Sequence, residues 1–171
     1  MENAIYILKT TEKNKKAISK IAYDFVIALA MKRLKINQKP RLTCESSGKP
    51  FFEDYPNFHF NISHSENLIA VAVADSRVGV DIEKKRDTNL KIAERFFSEE
   101  EKDFVKDNNS FFYVWTRKEA LLKKTGEGLK DISKAQVLEN SEIKTFEENE
   151  FILSVCSNNP DSFKIIYEEN F

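Results

Sequence analysis

Apolar residues recur along this chain at two periods, and the switches between them mark its elements. Ala4 to Leu8 reads as a short strand. From about Lys13 to Lys35, apolar residues recur at Ile18, Ile21, Ala22, Phe25, Leu29 and Leu34, a spacing that fits a long amphipathic helix, which Pro40 cannot extend. Arg41 to Cys44 reads as a strand, and Ser46-Ser47-Gly48-Lys49-Pro50 as a loop. Phe58, Phe60 and Ile62 then alternate with His59, Asn61 and Ser63, giving a strand with one apolar face that closes into a polar turn at His64-Ser65-Glu66-Asn67. Leu68 to Ala74 is apolar on both faces, the pattern of a central strand. A hairpin-length connection, Asp75-Ser76-Arg77, leads into a strand in which Val78, Val80 and Ile82 alternate with Gly79, Asp81 and Glu83. These three strands are expected to run antiparallel in one sheet.

Beyond Arg86 the pattern turns helical. Leu90 to Phe97 reads as a short helix, and Ser98-Glu99-Glu100-Glu101 as the capping-box start of another. Asn108-Asn109-Ser110 breaks and recaps the chain before a helix from Phe111 to about Thr125, with Gly126 as its terminating glycine. Apolar runs at Ala135 to Leu138, Phe151 to Val155 and Phe163 to Tyr167 predict three more strands. Without strict βαβ alternation the class is α+β. The expected organisation is two similar lobes, residues 1–86 and 87–171, forming one compact unit with a cleft between them.

Composition narrows the function classes. The 171 residues include 41% hydrophobic ones, 14 Phe among them, with only 4 Gly and 4 Pro, so the chain can build a core. A net charge of −1 excludes a generally basic nucleic-acid binder. The charge is nevertheless uneven: Lys9 to Arg41 holds ten Lys/Arg against two acids. Such a stretch suits an anionic ligand or partner as well as it suits a solvated helix face. Cys44 and Cys156 lie far apart with no metal-ligand spacing, as free thiols in a reducing compartment would. The N-terminus shows no secretory pattern and the longest apolar run, Phe25 to Met31, is too short to span a bilayer, so a cytoplasmic protein is expected.

Two stretches carry candidate chemistry. On a strand, Asp81 and Glu83 point the same way, about 6.6–6.8 Å apart along the chain. Paired carboxylates on a rigid element are commonly surface acids, and a hard divalent cation is the other way to relieve their repulsion. Trp115, Glu119 and Lys123 follow at i, i+4 and i+8 on the last helix. A Glu four residues before a Lys is ordinarily a helical ion pair, but here it also offers a third oxygen ligand and a cation for a phosphate. Strand direction places Ser63 and His64 at the same end as the two carboxylates, so both pairs are expected to face one cleft. No Walker A loop, HExxH or GxSxG is present.

In order, Gly48-Lys49-Pro50, Phe60-Asn61-Ile62-Ser63-His64-Ser65, Val78-Gly79-Val80-Asp81-Ile82-Glu83, Arg95-Phe96-Phe97-Ser98-Glu99-Glu100-Glu101 and Trp115-Thr116-Arg117-Lys118-Glu119-Ala120-Leu121-Leu122-Lys123 through Gly128-Leu129 resemble the 4′-phosphopantetheinyl transferases. The likeness is to their larger, monomeric type, which activates peptide-synthetase and fatty-acid carrier proteins, and it runs from about Gly48 to Leu129. It implies two pseudo-symmetric α+β lobes with coenzyme A between them, and transfer of the phosphopantetheine arm to a serine of an acyl or peptidyl carrier protein. By the same resemblance, Asp81, Glu83 and Glu119 bind Mg²⁺ (Mn²⁺ suiting the same oxygen ligands), and Lys123 contacts the pyrophosphate. Ser63 and His64 contact coenzyme A phosphates, and Lys49 lies near the nucleotide. Lys16, among several N-terminal lysines, and Arg41 are the basic residues that match less closely. Glu119 or a water takes the proton of the carrier serine. The rival readings are a Mg²⁺-dependent phosphohydrolase using the same acids, and a non-catalytic carrier-binding module.

Overall fold

The computed structural model describes residues 2–168, with the side chains of residues 129–131 left aside. Strand β1 (Ala4–Lys9) leads into helix α1 (Lys15–Leu34), whose first turn is capped by the Asn14 side chain on the Lys16 and Ala17 amides. Strands β2 (Leu42–Cys44) and β3 (Pro50–Phe52) form a small hairpin. Then come β4 (His59–Ser65), β5 (Leu68–Ala74) and β6 (Gly79–Lys84). The helical stretch comprises α2 (Ala93–Phe96), α3 (Glu99–Phe104) and α4 (Asn108–Thr125), and the chain continues through β7 (Ile143–Glu147), β8 (Phe151–Cys156) and β9 (Lys164–Glu168).

The elements stack in four layers: α1, the sheet β4-β5-β1-β9, the sheet β6-β8-β7, and α4. Strand periodicity builds this directly. Ile69, Val71 and Val73 of β5 pack under α1, while Leu68, Ala70, Ala72 and Ala74 turn to the second sheet. The alanines leave no bulk on that face, and Val80, Ile82, Leu153 and Val155 fill the space from the other side. Ile152 and Cys156 of β8 face the opposite way, against Phe112, Val114 and Ala120 of α4. The α+β class expected from the pattern is what forms.

Several expectations change in detail. β6 does not continue the sheet of β4 and β5; it pairs antiparallel with β8 in the second sheet. The free edge of β5 is taken instead by β1, paired from Ala4↔Val73 to Lys9↔Leu68. The residues Asp75-Ser76-Arg77 are therefore a corner between stacked sheets, not a hairpin. β9 adds to the first sheet, parallel to β1, so residues 1–86 and 87–171 exchange one strand each. His64 and Ser65 belong to β4, the turn being carried by Glu66 in the left-handed region at φ 51° and Asn67. Asn108 to Ser110 start α4 under an Asp107–Ser110 capping box rather than interrupting it. Ala135 to Leu138 forms no strand, because Lys118 and Arg117 draw its carbonyls inward to α4.

Candidate functional site at the seam between the sheets

The outward edge of β6 lies beside β4, running in the same direction, and no backbone ladder joins them. Side chains do the joining: Asn61 Oδ1 accepts from the Val80 amide at 2.8 Å, Ser63 Oγ from Ile82 at 3.4 Å and Ser65 Oγ from Lys84 at 3.1 Å. Both strands advance two residues per bond, so the amides of Val80, Ile82 and Lys84, which face this edge, are all satisfied. The amides between them face β8 through the pairs Asp81↔Ser154 and Glu83↔Ile152.

This arrangement positions the acids. Ser63 Oγ donates to Asp81 Oδ1 at 2.7 Å, and Ser65 Oγ donates to Glu83 Oε2 at 2.8 Å. From α4, Lys123 Nζ reaches Asp81 Oδ1 at 2.6 Å and Ser63 Oγ at 3.0 Å. The Asp81 side chain is only 7% exposed, and its second oxygen, Oδ2, is buried with no hydrogen-bond partner. Burial pushes the Asp81 carboxyl above its ordinary range, against the pull of Lys123 and Ser63. Arg86 Nη1 binds Glu83 Oε2 at 2.8 Å while its guanidinium lies over the Phe112 ring, 5.0 Å from the centroid.

Glu119 stands one helical turn before Lys123. Its carboxyl is pushed up to about 7, first by burial and then by the charges of Asp81 and Glu83, with Lys123 opposing. Three acids thus share one field with a lysine whose partner is already Asp81. Among the described residues, no group of three or more His, Cys, Asp or Glu side chains is placed as a metal site. The donor set nevertheless suits a hard cation. It is all carboxylate, and one buried oxygen has no partner while a neighbouring carboxyl is lifted by burial and, after that, by the charges of the other two acids.

α4 is held at a fixed height over β6. Gly79 has no room for a side chain, since a Cβ there would run into the Ala120 carbonyl and the Lys124 amide. Lys118, fully buried, pairs with Glu101 at 2.8 Å and donates to the carbonyls of Ile132 and Ala135, which anchors the helix beside Glu119. At the other end, Gly126 closes α4 at φ 81°. Two cations meet its last carbonyls: Arg77 donates to Lys124 O, and Lys49 Nζ to Lys123 O and, at 2.7 Å, to Val78 O. Burial, aided by nearby Arg77, lowers Lys49 to about 8. A cleft of about 250 Å³ opens along this line, bounded by Lys49, Asn61, Glu119, Lys123 and the Gly126 to Gly128 loop.

The residues singled out from sequence are distributed unevenly. Asp81, Glu83, Glu119, Lys123 and Ser63 come together at the seam, and Lys49 borders the same cleft. His64 has the opposite parity to Ser63 on β4 and lies on the α1 side with Phe60 and Ile62, so the two do not face one cleft as expected. Arg41 is held by Asp54, through its Nε at 3.0 Å and an ion pair at 2.9 Å. Lys16 is exposed on the first turn of α1. Ser65, Arg86 and Lys118 went unassigned in the sequence. For Ser65 a signal existed, because Asn61, Ser63 and Ser65 make a period-two polar stripe opposite apolar Phe60 and Ile62.

A family model described as the 4′-phosphopantetheinyl transferase superfamily matches residues 77–169. Curated relatives agree. The chain is 44% identical over 91 residues to the 4′-phosphopantetheinyl transferase psf-1 of Bacillus pumilus, covering 50% of this chain and 39% of that protein. It is 39% identical over 95 residues to the transferase Sfp of Bacillus subtilis strain 168, covering 52% of this chain and 42% of Sfp. A further 4′-phosphopantetheinyl transferase of Bacillus subtilis is 34% identical over 137 residues, covering 67% of this chain and 61% of the relative. The chain therefore spans about two fifths of the first two of these relatives and 61% of the third.

Proposed function

Because this chain belongs to the 4′-phosphopantetheinyl transferase superfamily, we propose that it transfers the phosphopantetheine arm of coenzyme A to a serine of an apo acyl or peptidyl carrier protein, releasing adenosine 3′,5′-bisphosphate. One observation carries the reading. Asp81, Glu83, Glu119 and Lys123 gather at the seam, beside a cleft that Glu119 and Lys123 line, on elements inside the matched region.

Phosphoryl-group transfer asks a protein chiefly for positioning and charge neutralisation. In the reaction the serine Oγ forms a bond to the phosphorus bearing the pantetheine arm, and the pyrophosphate P–O bond breaks. The electron pair leaves with the bisphosphate, where the Lys123 ammonium stabilises the developing charge. The serine proton goes to Glu119 or to a water beside it. Asp81, Glu83 and Glu119 would hold Mg²⁺, with Mn²⁺ suited to the same oxygens. Such an ion supplies charge to polarise the pyrophosphate. Lys49 borders the cleft on the nucleotide side, and His64, Lys16 and Arg41 are proposed as further phosphate contacts. Residues 1–86 then form the coenzyme A and carrier side and lend Asp81 and Glu83 to the metal site, which residues 87–171 complete with Glu119 and Lys123, in a monomer working in the cytoplasm. Among the described residues no helix is long and apolar enough to cross a membrane.

The test is to incubate the protein with coenzyme A and Mg²⁺, with and without an apo carrier protein. Bisphosphate release that requires the carrier supports transfer. Release without it would make the protein a phosphohydrolase, and carrier binding without release would make it a binding module.

A further inference from the structure

The side-chain seam has a consequence for residues outside the reacting groups. A backbone ladder between β4 and β6 would use up the edge amides of β6 and leave the side chains of β4 uncommitted. Here the roles are reversed. Ser65 uses all its hydrogen-bonding capacity at the seam: its hydroxyl donates to Glu83 Oε2 at 2.8 Å, accepts from the Lys84 amide at 3.1 Å and lies 3.5 Å from Arg86 Nη1. Ser63 does the same one step earlier, donating to Asp81 and accepting from Lys123 and the Ile82 amide. Each serine thus couples a carboxylate to the backbone amide of the next residue, so the position of the strand and the direction of the acid are set together. Asn61, with no acid opposite it, fixes only the register, through the Val80 amide.

We propose that Ser65 is a positioning residue for Glu83, and that Asn61, Ser63 and Ser65 together replace a strand ladder with a zipper that sets the reach of Asp81 and Glu83 across the seam. Ser65 does not touch the reacting atoms; it acts through Glu83. Removing its hydroxyl leaves Glu83 with Arg86 alone, which draws the carboxylate toward the Phe112 ring and away from Asp81. The Lys84 amide loses its partner in the same stroke. That metal ions are the cargo of these acids rests on the function proposed above, whereas the zipper itself does not.

The full chain tests both halves, as wild type, Ser65→Ala and Ser65→Thr. The first readout is amide hydrogen exchange by NMR, in the absence of metal and coenzyme A. In the wild type the amides of Val80, Ile82 and Lys84 are protected although β6 has no strand partner on that edge. In Ser65→Ala the Lys84 amide exchanges much faster while Asp81 and Glu83, facing β8, stay protected. Ser65→Thr, which keeps the hydroxyl on a strand-compatible side chain, restores it. An unchanged Lys84 rate in Ser65→Ala overturns the zipper. The second readout is Mg²⁺ affinity by titration calorimetry, expected to weaken about tenfold in Ser65→Ala and to recover in Ser65→Thr. Faster Lys84 exchange with unaltered Mg²⁺ affinity would make Ser65 structural only and overturn the positioning role. A wild type that binds no Mg²⁺ would count against the metal assignment, with the exchange result still deciding the zipper.

Discussion

Glu119 is where charge and burial conflict most, and its behaviour with pH follows from that. Its carboxyl is raised to about 7 in the folded chain, above the ordinary value near 4.5 that an unfolded chain would show. A raised carboxyl favours the fold when protonated. Its contribution is therefore present below about pH 4.5 and is lost as pH rises through about 7, where the folded protein must hold Asp81, Glu83 and Glu119 all charged. Mg²⁺ should offset that repulsion, so added Mg²⁺ is expected to raise the thermal midpoint more at pH 8 than at pH 6. Glu119→Gln should abolish the difference, as scanning calorimetry at the two pH values would read. Lys123 presents the complementary case, since its ammonium sits on Asp81 at 2.6 Å. Lys123→Met is expected to cut transfer at saturating Mg²⁺ by about a hundredfold or more in steady-state kinetics. Because an attached cation no longer competes at Asp81, the same variant should bind Mg²⁺ more tightly in calorimetry.

Among the elements, α4 and β6 meet so closely that one glycine decides their spacing. Gly79→Ala should destabilise the fold by about 3 kcal/mol, the cost of overpacking against backbone that cannot yield, read as a lower midpoint in urea with an unchanged slope. Elements with their own local signals were legible in the sequence. α1, β5, β8 and the Gly126 terminus of α4 fall close to where periodicity and glycine chemistry put them. β7 was missed because Ile143-Lys144-Thr145-Phe146-Glu147 carries only two large apolar residues, both on a half-buried edge strand. The stretch Ala135 to Leu138 misled in the opposite sense. Its apolar run is buried by the hydrogen bonds of Arg117 and Lys118, and no strand ladder is involved. Buried cations reaching for carbonyls leave no periodic trace.

At the scale of the whole molecule, the α+β class followed from the pattern, while the stacking of two sheets did not. β5 is apolar on both faces and so demands a layer on each side, but nothing local says whether β6 or β1 takes its second edge. The answer rests on long-range pairing, β1 with β5 and β6 with β8. The same is true of the site. Asp81, Glu83, Glu119 and Lys123 were legible because their spacing lies within single elements, whereas the seam that joins them depends on Asn61, Ser63 and Ser65 facing a strand in another sheet. Under the proposed function this seam is a transferase site. Its most direct test is the intact mass of an apo carrier protein after incubation with this chain, coenzyme A and Mg²⁺, using Asp81→Ala in parallel. The expected result is a carrier heavier by one phosphopantetheinyl group at its serine with the wild type and unmodified with the variant. A carrier modified equally by both would contradict it.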